Sequence, residues 1–290
     1  MRRAIPLAAL GAASCLAVAA ARAQPTAPQP AAQPLFEAGV FGGAALLPDY
    51  PGAGQSRVHG LALPWLIYRG DLLRSDERGL RGRMYREGDL EFTLNASGAL
   101  GSRSSDNRAR EGMPDLDWLG EIGPSLRWVA WRDAPNRTRL TLETPIRAVF
   151  STDFSRIRYR GYVFAPELAV ERTGLVLAGS RARVGLGPVF ASGGLMDYWY
   201  RVQGEFDRPG RPAYDAAGGY LGLRMQFSYR VPVTESLWVT AGGRLENFSG
   251  ASNADSPLLR SEFNASFVLG LSFTLYRSEA KVASRAEPFD

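Results

Sequence analysis

Seven apolar residues alternate along the stretch F-N-A-S-F-V-L-G-L-S-F-T-L-Y (263–276): Phe263, Ala265, Phe267, Leu269, Leu271, Phe273 and Leu275. Asn264, Ser266, Gly270, Ser272 and Thr274 hold most of the places between them. A period of two puts successive side chains on opposite faces of a strand. The same alternation begins at Leu35 and continues almost to the end. It predicts strands at about 35–46, 57–69, 79–87, 89–101, 117–131, 138–150, 158–172, 175–190, 196–203, 217–231, 236–248 and 261–276. No segment keeps a 3.6-residue period over three turns, so little helix is expected.

Strand length decides what the apolar face meets. The clearest segments run nine to fifteen residues with one polar face throughout. Strands of globular proteins cluster around five or six residues, whereas a tilted strand crossing a bilayer needs about nine to eleven. Hydrocarbon offers no partner for a bare backbone group, so such strands must close into a ring. The expected fold is therefore an all-β, transmembrane antiparallel β-barrel of the bacterial outer membrane. About twelve strands are expected, or ten if two weaker segments lie outside the bilayer. Trp65, Tyr68, Tyr85, Trp128, Trp131, Phe150, Tyr162, Trp238, Phe248 and Tyr276 are candidates for the interfacial girdles.

The opposite face carries charge. Alternation assigns to the lumen Arg127, Arg139, Arg147, Arg181, Arg183, Arg224, Arg230 and Arg244, with Glu91, Glu121, Glu143, Glu167 and Glu246. An arginine excess would favour anions in a water-filled lumen. Mutual pairing across a narrow lumen would instead plug it, since buried charges persist only when paired or hydrated. Both readings stay open.

Residues 1–23 read as a signal peptide: two arginines, an apolar run and Ala21-Arg22-Ala23 as the cleavage site. The alternative is a lipoprotein signal at Cys15, but Ala12 stands where leucine is usual. Cleavage after Ala23 removes the only cysteine, so no disulfide is expected. Residues 24–34 are a Pro/Ala/Gln spacer, 35–276 the barrel and 277–290 a polar tail. Localisation in the bacterial outer membrane follows, against lipid and lipopolysaccharide.

The net charge of +5 comes with 33 arginines and the single lysine Lys281. No basic helix or recognised nucleic-acid fold accompanies it, so no nucleic-acid partner is expected. His59 is the only histidine and has no serine and carboxylate arranged around it, which argues against a hydrolase. One histidine and no retained cysteine make zinc improbable, and Asp115-Leu116-Asp117 and Asn253-Ala254-Asp255 lack a calcium-loop ladder. None of the 32 glycines forms a phosphate loop. No enzyme, metal or cofactor is expected.

Four stretches together carry a resemblance: L-P-D-Y-P-G (47–52), N-R-A-R-E-G-M-P-D-L-D (107–117) with E-I-G-P (121–124), M-D-Y-W-Y-R-V (196–202) and N-A-D-S-P-L-L (253–259). Their order and spacing resemble the MipA/OmpV family of outer-membrane proteins across about 35–276. The resemblance implies an outer-membrane β-barrel and a non-enzymatic scaffold joining a lytic murein transglycosylase to a penicillin-binding protein. Relatives described as adhesins or solute-uptake proteins leave a surface adhesin and an anion-favouring channel as alternatives. No catalytic residue is carried over. The polar tail departs from the terminal aromatic common among outer-membrane barrels, with Phe289 penultimate.

The scaffold reading makes the loop at 102–117 the candidate partner surface, through Arg108, Arg110, Glu111, Asp115 and Asp117. With the twelve strands above, that loop falls at the same end of the barrel as the termini, the periplasmic end.

Overall fold

The computed structural model describes residues 33–68, 73–76 and 79–282. The expected signal peptide with Cys15, most of the spacer, and Phe289 lie outside the described residues. The first strands are β1 (Gln33–Pro34), β2 (Phe36–Pro48), β3 (Ser56–Tyr68), β4 (Leu73–Asp76), β5 (Gly79–Glu87) and β6 (Leu90–Ala99). There follow β7 (Trp118–Asp133), β8 (Thr138–Thr152), β9 (Ile157–Phe164), β10 (Glu167–Thr173) and β11 (Arg181–Ala191). A short helix, α1 (Gly193–Tyr200), precedes β12 (Gly219–Pro232), β13 (Leu237–Asn247), β14 (Phe263–Arg277) and β15 (Lys281–Val282).

Thirteen of these strands form one antiparallel sheet, ordered β3-β2-β14-β13-β12-β11-β10-β8-β7-β6-β5-β4, with β9 between β8 and β11. Strands β9 and β10 have the same two neighbours, so thirteen strands fill twelve positions. The break falls at Ala165-Pro166, where proline has no N–H to give the ladder. Ala165 N–H bridges it by donating to the Pro145 carbonyl at 3.3 Å. On the other side Pro166 presses its carbonyl against β11 at Gly187, where a Cβ would lie 1.8 Å from that oxygen. The two ends of the sheet, β3 and β4, follow one another in the chain and touch, so the sheet runs round on itself. First and last long strands join directly, β2 on β14, and the two-residue strands β1 and β15 pair beside that seam.

The barrel is inside out relative to a globular core. Leu269 is 62% exposed and Leu275 66%, while Arg139 is 1% exposed and Thr141 0%. The large exposed side chains of β7, β8 and β14, among them Ile122, Leu126, Ile146, Leu271 and Phe273, form the outer face. An apolar exterior on a closed sheet is stable only against hydrocarbon. Among the described residues no helix is long and apolar enough to cross a membrane; the strands do the crossing.

The strand roster differs from the sequence expectation at two places. The segment 196–203 is not a strand: α1 occupies its first half. The missing position is supplied by β4, four residues long. The total stays at twelve, but everything between the two changes direction. Connections 49–55, 100–117, 153–156, 192–218 and 248–262 therefore gather at one end, here the loop end. Turns 88–89, 134–137, 174–180 and 233–236 lie at the other, the turn end, with β1 and β15. The loop 102–117 thus sits opposite the termini, reversing its expected position.

Some expected girdle residues are also relocated. Trp128, Trp131, Tyr162 and Tyr276 lie on the exposed outer surface. Phe248 is buried at 1% under the loops, Trp238 faces inward beneath two arginines, and Trp65 packs on inward-facing Gly39. The side chain of Tyr85 is outside the described residues.

Candidate functional site

The four quoted sequence stretches converge at the loop end, where they build a cap. Tyr50, Ala53, Leu116, Leu195, Met196, Trp199, Tyr200, Phe248 and Leu258 form an apolar cluster across the loops and the upper inner wall. Helix α1 lies within it, burying Leu195, Met196, Trp199 and Tyr200. This is a small globular core set into the mouth of a barrel, and burying these side chains holds the loops in place.

Polar side chains lock that core by closing bonds to backbone groups that loops leave unpaired. Tyr50 donates its hydroxyl to the Leu258 carbonyl at 2.8 Å, and Tyr200 donates to the Pro51 carbonyl at 2.8 Å. Ser256 Oγ returns to the Tyr200 carbonyl at 2.9 Å. Asn264 grips the 49–55 loop from both sides, accepting from Gly52 N–H at 2.7 Å and donating to Ala53 O at 2.9 Å. Asn253 holds Ala217 likewise, at 2.8 Å in each direction.

Arg110 is central to the cap. It is 4% exposed, and its guanidinium donates to Trp199 O at 3.0 Å, Pro114 O at 3.2 Å and Ser104 Oγ at 3.3 Å. It also lies 5.7 Å from the centre of the Tyr50 ring. Arg211 makes a parallel set, donating to Ala109 O at 3.0 Å and Glu111 O at 2.8 Å. Arg57 on β3 pairs with Asp49 at 3.1 Å and Asp106 at 3.3 Å, and Asn107 donates to Asp49 at 2.6 Å. Burial pushes the Tyr50 and Tyr198 phenols up to about 12 and the Tyr200 phenol well above its usual range. Burial also draws Arg110 below the ordinary arginine value, with the Tyr50 and Tyr198 phenols opposing it.

The candidate partner residues divide accordingly. Arg108, Glu111 and Asp115 are exposed, and Asp117 is half-buried. Arg110 is corrected from a partner contact to an internal clamp: its donors are spent inside the cap. Asp115 accepts from Ser104 N–H at 2.7 Å, and Asp117 accepts from Ser151 Oγ at 3.3 Å. A groove of about 310 Å³ runs beside them, lined by Arg103, Asp115, Asp117, Trp118, Asp153 and Phe154 among others.

Below the cap the inward charges fall into layers. Toward the turn end Glu171 accepts from Arg139 Nε at 2.7 Å, Arg183 Nε at 3.3 Å and Arg127 Nη2 at 3.5 Å. Arg127 also reaches Glu143 at 3.2 Å and Glu91 at 3.8 Å. Arg183 pairs with Glu167, to which Gln226 donates at 2.9 Å. Arg181 and Arg230 flank the Trp238 ring at 5.8 and 5.3 Å, and Arg230 donates to Thr240 at 3.1 Å. Toward the cap Arg147 donates to Glu121 at 2.7 Å and Arg224 to Glu246 at 2.9 Å. Arg244 is exposed to the lumen and makes no side-chain hydrogen bond or ion pair among the described residues. Pairing, the second of the two sequence readings, describes most of this interior.

Sequence reasoning omitted Glu171, which accepts three arginines, although it continues the alternation of Glu167 and Ala169. It named Asn253, Ser256 and Asn264 only as parts of longer stretches, because their clamping roles depend on loops far away in the chain. His59 is half-buried on the inner face of β3 with no catalytic partner, and no cluster fit to hold a metal ion occurs among the described residues.

A closed antiparallel sheet with an apolar exterior, a charge-paired interior and ordered loops at one end defines an outer-membrane β-barrel. The chain belongs to the MipA family: the family profile described as "MltA-interacting protein MipA" matches residues 40–275, and all four stretches fall inside it. A search of curated proteins finds no match. Among solved structures the chain is similar to a "Bacterial polysaccharide outer membrane secretin", with 9% identity and a TM-score of 0.37 over 84% of this chain and 99% of the other.

Proposed function

We propose that this chain is a non-enzymatic outer-membrane scaffold that holds murein-cleaving and murein-synthesising enzymes at the inner surface of the membrane. An N-terminal signal peptide cleaved near Ala23 exports it, and its apolar belt sits in lipid and lipopolysaccharide. The observation that carries the reading is membership of a family described by its interaction with MltA, over residues 40–275. The partners inferred are a lytic murein transglycosylase and a penicillin-binding protein.

Short turns and both termini of outer-membrane barrels normally face the periplasm, long loops the exterior. The turn end is then the docking surface, in place of the 102–117 loop. One turn there has partner-like chemistry: Leu175, Val176 and Leu177 are exposed, Val176 at 88% with φ +67°. A β-branched residue held in the left-handed region is costly, and such strain tends to collect at functional sites.

Photo-crosslinking residues installed singly at Val176, Asn136 and Glu205 test the proposal in growing cells. Adducts with a lytic transglycosylase are expected from Val176 or Asn136 and not from Glu205 on the loop end. Adducts confined to Glu205, or none at any position, would overturn it.

A further inference from the structure

The lumen layer beneath the cap holds Arg147, Arg224 and Arg244 against Glu121 and Glu246. Two of the three arginines are taken up by the Arg147–Glu121 and Arg224–Glu246 pairs, at 2.7 and 2.8 Å. Arg244 is left over, although Glu246 lies two residues away on the same inner face. A guanidinium carries five donors in a planar fork and no acceptor, so an unpaired one needs water or an anion on every edge.

The surroundings of Arg244 leave room for one. Its side chain is exposed to the lumen even though the barrel wall encloses it. Across the ladder it sits opposite Gln226 on β12 and Ser266 on β14. Gln226 is turned away to Glu167, and the Ser266 hydroxyl has no partner among the described residues. Fork and hydroxyl lie side by side on one wall of the lumen, in a layer with an arginine excess.

We infer that Arg244 and Ser266 form a lumenal binding site for a small oxyanion, a carboxylate or a phosphate group. The guanidinium binds two of its oxygens side by side, and the Ser266 hydroxyl donates to one of them. Arg147 and Arg224, each paired with a glutamate, add positive potential. The inference does not depend on the scaffold proposal.

Thiol chemistry with inorganic phosphate as the probe tests this in the purified full-length barrel in detergent. Ser266→Cys is made in a Cys15→Ser background and treated with methanethiosulfonate reagents of either charge. The anionic reagent should react about tenfold faster than the cationic one, the low end of what a focused field in a low-dielectric cleft gives. Millimolar phosphate should slow both reactions. Adding Arg244→Gln should abolish the charge preference and the protection, with far-UV circular dichroism confirming the fold. Arg244→Lys should keep the preference and lose most of the protection, since an ammonium lacks the fork. Equal rates, an unreactive thiol, or phosphate protection that survives Arg244→Gln would each overturn the inference.

Discussion

Arg110 and Trp199 are 89 residues apart in the chain and meet in a single hydrogen bond, Nη1 to backbone oxygen at 3.0 Å. Through that contact the 100–117 loop is tied to helix α1, and α1 to the barrel mouth. Replacing Arg110 by methionine keeps its bulk, removes three hydrogen bonds and strands the Trp199 carbonyl, while Pro114 O keeps the Ser104 hydroxyl at 2.7 Å. A cost of about 3 kcal/mol to the cap is expected, in line with losing hydrogen bonds to a buried charge. The check is limited proteolysis of the detergent-solubilised barrel, with loop cleavage appearing while the strand core stays resistant.

Glu171 should be the most sensitive lumenal position. It accepts from three arginines, and Glu171→Gln takes one negative charge out of that buried cluster, although Arg127 keeps Glu143 and Glu91 and Arg183 keeps Glu167. About 3 kcal/mol of destabilisation is expected, because a broken buried pair leaves an uncompensated charge. Arg147→Gln breaks one pair only and should cost less. Guanidinium unfolding in micelles, followed by tryptophan fluorescence, ranks the two.

Cap stability should be level through neutral pH and fall in strong base. The Tyr50 and Tyr198 phenols are raised from 10.0 to about 12 by burial. A raised acid contributes fully below its unfolded value and loses that contribution as pH climbs through the folded one. The window is therefore about pH 10 to 12, with on the order of 2 kcal/mol at stake for Tyr50. Tyrosinate absorbance and loop proteolysis should change together there, and Tyr50→Phe should remove part of the pH dependence.

The outer face should reject charge. Leu269→Arg, near the middle of β14, is expected to cost about 2–4 kcal/mol on refolding into liposomes, as cations do at a bilayer midplane. Asn136→Arg in a turn should cost almost nothing.

Orientation can be read from labelling. Glu205→Cys on the loop end should react with a membrane-impermeant maleimide in intact cells. Asn136→Cys should react only after the outer membrane is permeabilised. The reverse pattern would place the 102–117 loop back in the periplasm.

The barrel was legible because its signal is local: Leu140, Leu142 and Ile146 against Arg139, Thr141 and Glu143 need no knowledge of the rest of the chain. The inner arginines could be named for the same reason. Helix α1 was missed because M-D-Y-W-Y-R alternates loosely and eight residues are too few to establish a 3.6 period. Strand β4 was missed because four residues, Leu73–Asp76, make no period at all. Those two misses cancelled in the count and together inverted the 102–117 loop. Arg110 reads as a solvated loop charge until the partner carbonyl, far along the chain, is brought to it. Asn253 and Asn264 are polar residues whose importance comes mainly from distant backbone groups that they clamp.

The seam between β2 and β14 constrains how such a molecule is made. Residues near position 40 find their hydrogen-bond partners only when those near 270 have arrived. Closure of that join is among the most non-local steps of folding and should be among the slowest. Until it happens, two long edges stay bare, which argues for an escort from synthesis to insertion.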